Sequence, residues 1–151
     1  MMRNRSGFTA IEMALVTTIM GLVTAIAYPR LASVRDQGAL ESARRHVITQ
    51  LAGARASAIQ RGQAVRLRTV GSSVWLTTEI GGAQTAISPT SELEITFGVR
   101  LTASHDPVIF DSRGYATSLP VTGATFVLER GALRDSVCIT QIGTVIAECG
   151  L

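Results

Sequence analysis

From Phe8 to Tyr28 the chain reads FTAIEMALVTTIMGLVTAIAY, and Glu12 is the only charge in that stretch. Coiled as a helix, such a run is about 30 Å long, the thickness of the hydrocarbon core of a bilayer. Arg3 and Arg5 stand in front of it. A positive flank stays on the cytoplasmic side, so the rest of the chain is expected across the membrane. Three readings compete. The run is a cleaved secretory signal with Ala25-Ile26-Ala27 as a small-x-small cutting site, a plain single-span anchor, or a span whose charge has a task. An ionisable side chain costs roughly 2.5–3.5 kcal/mol near the middle of a span and less toward an end. Nothing basic lies inside this helix to pair with Glu12.

Composition closes off other classes. A chain of 151 residues that is 46% hydrophobic suits one domain with one core, and a net charge of +3 argues against disorder. Beyond Arg3 and Arg5, 12 arginines face 11 acidic residues, too small an excess to announce a nucleic-acid binder. Lysine is absent, which removes Schiff-base chemistry and the phosphate-binding P-loop.

After the apolar run, Leu40, Ala43, Val47, Leu51, Ala54 and Ala58 recur at spacings of three and four, the stripe of an amphipathic helix. Arg61-Gly62 is its expected stop, and Pro29 and Gly38 are expected bends rather than ends. From Phe8 to Arg61 this predicts one rod of about 80 Å. Past Gly62 the period becomes two. Strands are expected at Val65–Val70, Val74–Ile80, Leu93–Phe97, Val99–Thr102, Val108–Phe110, Thr125–Leu128, Val137–Ile139 and Thr144–Ile146, punctuated by Gly and Pro. The fold class is α+β: one long N-terminal helix, half transmembrane and half amphipathic, on an antiparallel sheet.

Gly7-Phe8-Thr9-Ala10-Ile11-Glu12, with basic residues before and an apolar run after, resembles the processing site of type IV prepilins. The resemblance implies a membrane peptidase that cuts after Gly7 and methylates the new amine of Phe8. It makes Glu12 the fifth mature residue and Pro29 the twenty-second, where pilins carry a helix-kinking proline. Glu12 would then be neutralised by the amine of a neighbouring subunit, setting the stagger of a helical fibre. The run Ala52–Gly62 into Val65-Arg66-Leu67, the turn Phe110-Asp111-Ser112-Arg113-Gly114, and Val137-Cys138-Ile139 leading to Gly143 are similar to the GspH/FimT group of minor pilins and pseudopilins. That group implies a subunit that initiates or caps a type IV pilus or the pseudopilus of type II secretion. The implied domains are a leader at 1–7, an assembly helix at 8–29, and a periplasmic domain at 30–151 (helix 30–62, β-domain 63–151). The implied partners are other pilin or pseudopilin subunits, the prepilin peptidase, an inner-membrane assembly platform and the lipid bilayer.

The remaining candidates each have a plainer reading beside the functional one. Cys138 and Cys149 are either a disulfide, in an oxidising compartment beyond the membrane, or two buried thiols. In some FimT-like pilins a Gly-Arg-x-Arg motif in the last loop captures DNA; here Gly143-Thr144-Val145-Ile146 stands there without either arginine. Arg130 and Arg134 near a neighbouring turn are the substitute phosphate contacts, and nucleic acid is not an expected partner. The rival function is a secreted or tethered binding module. Ser104-His105-Asp106 has the letters of a triad but no convergence, and His46 is read as a packing residue. Asp106 and Asp111 lack a third acidic ligand for calcium. Arg44, Arg45, Arg66 and Arg68 either pair with Glu41, Glu92 or Glu94 of a neighbour or are solvated. No catalytic residue, metal or cofactor is expected.

Overall fold

The computed structural model describes residues 9–147 and Cys149. A single helix, α1, covers Ala10–Arg61 and runs through Pro29 and Gly38. It begins on Thr9, whose hydroxyl accepts the backbone N–H of Glu12 at 3.3 Å. Thr9 and Glu12 thus occupy the two key positions of a capping box, where an N-cap hydroxyl takes an orphan N–H and an acid sits in the first turn. Gly62, at φ 64°, ends the helix with its N–H on the Ile59 carbonyl.

The chain divides into two compact units, Met1–Arg35 and Asp36–Leu151. In the first, every residue of 9–35 whose side chain is described is exposed. Leu31 and Val34, just before that division, are exposed. Burial begins at Leu40.

In the second unit, strands follow as β1 (Val65–Val70), β2 (Ser73–Ile80), β3 (Ala83–Ala86) and β4 (Ser91–Glu92). A short helix α2 (Leu93–Phe97) precedes β5 (Arg100–Ala103), β6 (Val108–Phe110), β7 (Ala124–Arg130), β8 (Leu133–Ile139) and β9 (Val145–Ala147). They form two antiparallel sheets rather than the one expected. A five-stranded sheet has the order β3-β2-β1-β6 with β4 also on β2, and a four-stranded sheet has the order β5-β7-β8-β9.

One core joins them. Ala43, Val47, Leu51, Ala54 and Ala58 of α1 are fully buried, together with Val65 and Leu67 of β1, Val108 and Phe110 of β6, and Phe126 and Leu128 of β7. The alternation along each strand follows from the two-residue period, apolar inward and polar outward. Leu93–Phe97 departs from expectation. Its alternating Leu93, Ile95 and Phe97 fit a strand, yet the segment closes as a turn of helix. Gly98, left-handed at φ 65°, donates its N–H to the Glu94 carbonyl, and Val99 donates to the Leu93 carbonyl. Only Leu93 of the five is buried, and Ile95 is left 80% exposed.

Candidate assembly site

The N-terminal half of α1 is the first feature to account for. Ile11, Met13, Leu15, Ile19, Met20, Leu22, Val23 and Ile26 are all exposed, and this is the one described helix long and apolar enough to cross a membrane. Its polar atoms are already satisfied. Thr17 and Thr18 donate to the Ala14 carbonyl at 3.0 and 2.8 Å, and Thr24 to that of Met20 at 2.7 Å. Such back-bonding lets hydroxyls sit in a medium that offers no other acceptor. Glu12 is the exception, with no cation among the described residues of its segment before Arg30. Gly7 and Phe8 lie outside the described residues, and Pro29 lies within α1.

At the other end of α1, three distant segments meet. Arg55 donates from Nη1 to the Gly143 carbonyl at 3.0 Å. A Cβ on Gly143 would lie 2.5 Å from the Gly114 carbonyl oxygen, and one on Gly114 would lie 2.9 Å from both Arg55 Nε and Ile59 Cδ1. Both glycines have positive φ, 85° and 76° for Gly114 and Gly143. These two turns can close on the helix only without side chains. Beside them the Asp111 carboxylate accepts the backbone N–H groups of Tyr115 at 2.8 Å and Arg113 at 3.0 Å. The Tyr115 N–H above all, helped by Arg113, holds the Asp111 carboxyl below its ordinary value. The turn from Phe110 to Gly114 is therefore a self-bonded loop. Asp111 is committed inside it and Asp106 binds Thr69 N at 2.6 Å, so the two acids serve separate loops.

The expected phosphate contacts are also committed. Arg130 donates to Asp36 on α1 at 2.8 Å and to the Phe97 carbonyl, and its side chain is 24% exposed. Arg134 is exposed and pairs with Glu129 at 2.7 Å. The other arginines expected to reach a neighbour find partners at home: Arg44 with Glu41 and Asp135, Arg45 with Glu41, Arg66 with Glu79 and Arg68 with Asp106. Sequence reasoning missed Glu79, Asp106 and Asp135 as partners because cross-strand and helix–strand neighbours are not visible as spacing. The two bonds from Arg45 and Arg44 lower the pKa of Glu41. Cys138 on β8 and Cys149 are joined as a disulfide with Cα atoms 5.9 Å apart, and Ser136 donates to the Cys149 carbonyl at 3.1 Å. Ser104 Oγ accepts the Thr125 N–H while Asp106 turns to Thr69, so Ser104-His105-Asp106 does not converge.

A family model described as type II transport protein GspH matches residues 43–143. The chain belongs to the GspH family. The pilin-like protein PilA1 of Thermus thermophilus is 35% identical over 158 aligned positions, covering 95% of this chain and 99% of that protein. The type IV minor pilin FimU of Pseudomonas aeruginosa superposes with a TM-score of 0.62 at 17% identity, over 75% of this chain and 90% of its own. A second crystal form of FimU gives 0.58 at 18% identity over 73% and 93%. The fold is that of a pilin: one long N-terminal helix packed on an antiparallel β-domain. Family and fold make this GspH-family chain a structural subunit of the pilin and pseudopilin kind.

Proposed function

We propose that the chain is a minor pilin or pseudopilin of the GspH/FimT type that initiates or caps a fibre. The prepilin peptidase cuts after Gly7 and methylates the amine of Phe8. The N-terminal part of α1 stands in the inner membrane until an assembly platform moves it into the fibre, and the domain from Arg30 onward lies in the periplasm. Glu12 pairs with the Phe8 amine of the neighbouring subunit. The observation that carries this reading is the start of α1, from Ala10 to Tyr28, apolar and exposed, with an acid near its start that has no cation partner among the described residues. A surface of that kind is stable only in lipid or against other helices.

The test is the mature N-terminus, read by mass spectrometry of the membrane fraction. Methylated Phe8 is the expected result. A free Tyr28 in the soluble fraction would mean a secretory signal peptide and overturn the fibre mechanism. Genes for a retraction motor nearby point to a pilus, and a secretin with other pseudopilins points to type II secretion.

A further inference from the structure

From Ala10 to Tyr28 helix α1 rises about 28 Å, close to the thickness of a hydrocarbon core. Its apolar surface does not stop there. Leu31 and Val34 are still 70% and 64% exposed. They continue a stripe begun by Val23 and Ala27, at spacings of four, four and three, the period of one helix face. These four side chains and Arg30 line one open hollow of 810 Å³ along the helix.

Arg30 and Arg35 stand on either side of that stripe, about 140° apart around the axis. Both are exposed, and neither has an acidic partner among the described residues. Between Glu12 and Glu41 the sequence holds one acid, Asp36. Asp36 is taken by Arg130 at 2.8 Å, and Glu41 by Arg44 and Arg45 at 2.6 and 2.8 Å. The two arginines nearest the apolar segment are therefore the ones left unpaired. Membrane orientation does not account for them, since cations past a span run against the positive-inside bias.

We propose that Arg30 and Arg35 hold the phosphates of anionic lipids in the periplasmic leaflet, with an acyl chain lying in the hollow along Val23 and Ala27. The proposal rests on the reading of α1 as an inner-membrane anchor. A lipid of that leaflet presents an apolar chain and then an anion in the same order along the axis as the helix presents its stripe and then its cations. Guanidinium and phosphate form short, charge-assisted bonds, and a long arginine stem reaches back to the headgroup level. An apolar helix laid alongside would cover the stripe but leave both arginines unpaired. A second copy of this chain brings no free acid, because its own Asp36 and Glu41 are engaged. The contact fixes the depth and rotation of α1 in the bilayer, and it does not depend on processing at Gly7.

The test uses the full chain reconstituted in vesicles of phosphatidylcholine, with or without phosphatidylglycerol. Ser33→Cys, at an exposed position between the two arginines, carries a bimane whose emission reports polarity; Cys138 and Cys149 are bridged and do not compete for the label. With phosphatidylglycerol the emission should move to the blue, and the lipid that co-purifies with the chain in mild detergent should be enriched in phosphatidylglycerol. Arg30→Gln with Arg35→Gln should remove both effects, the enrichment falling roughly fivefold per arginine. Arg61→Gln, in the last turn of α1, should change neither. Identical emission and lipid content in the two kinds of vesicle, or a phosphatidylglycerol effect that survives in the double variant, overturns the contact. A blue shift that needs no phosphatidylglycerol but grows with the protein-to-lipid ratio assigns the arginines to a neighbouring protein and overturns it too. Flotation of the same samples separates the two readings. A chain that floats with both vesicles yet ignores phosphatidylglycerol sinks this contact alone, whereas one that floats with neither sinks the anchor reading and the contact with it.

Discussion

At the scale of single residues, the acid in the first turn of α1 and the acid in the Gly114 loop are used in opposite ways. Glu12 gives its backbone N–H to the capping Thr9 hydroxyl at the start of α1, and its carboxylate has no cation partner among the described residues. If a neighbour's amine is that cation, Glu12→Ala should leave processing intact and remove the protein from sheared fibres. Normal incorporation, read by immunoblot of the fibre fraction, would dismiss the pairing. Asp111 by contrast is satisfied by its own loop, which lowers its pKa from an ordinary value of 3.8. A carboxyl whose folded pKa is depressed contributes stability above its unfolded pKa and loses it as the pH falls through the folded value. Glu41, lowered by Arg45 and Arg44, acts in the same direction. Acid unfolding should therefore set in below about pH 4, and Asp111→Asn should flatten that limb of the stability curve. A denaturant titration at several pH values checks it, and identical curves would refute the assignment.

Among the elements, α1 carries two different surfaces on one helix. From Leu40 onward a stripe of small and medium residues faces the sheets, with Ala43, Val47, Leu51, Ala54 and Ala58 at zero exposure. Leu51 is the largest side chain of that stripe, fully buried. Leu51→Ala should lower stability by about 2–5 kcal/mol, from lost burial and the cavity left behind. Thermal unfolding in detergent measures it, and a change near zero would mean that the stripe does not hold the domain. The short helix α2 shows how an element is misread. Alternation over five residues cannot separate a strand from a turn of helix, and the capping bonds of Gly98 decide the matter. β3 is invisible in the sequence for the converse reason. Ala83, Gln84, Thr85 and Ala86 are all exposed, so they carry no alternation at all.

On the scale of the whole molecule, the tail is tied back across the sheet by the Cys138–Cys149 disulfide, which closes a separation of 11 residues. Chain entropy makes such a closure worth about 3 kcal/mol. Reduction, or Cys149→Ser, should lower the unfolding temperature of the full chain by that much stability, and an unchanged transition would show that the bridge does not support the domain. The long apolar helix, its lone acid, the amphipathic stripe and most strands could be read from the residues, because each is a local pattern of polarity along the chain. Folding alone decided the two sheets, the pairing of Arg130 with Asp36, and the closure of Gly114 and Gly143 on Arg55. Periodicity tells which face of an element turns inward. Which element lies opposite, and which charge meets which, depends on packing between residues far apart in the chain, and there the spacing of letters carries no information.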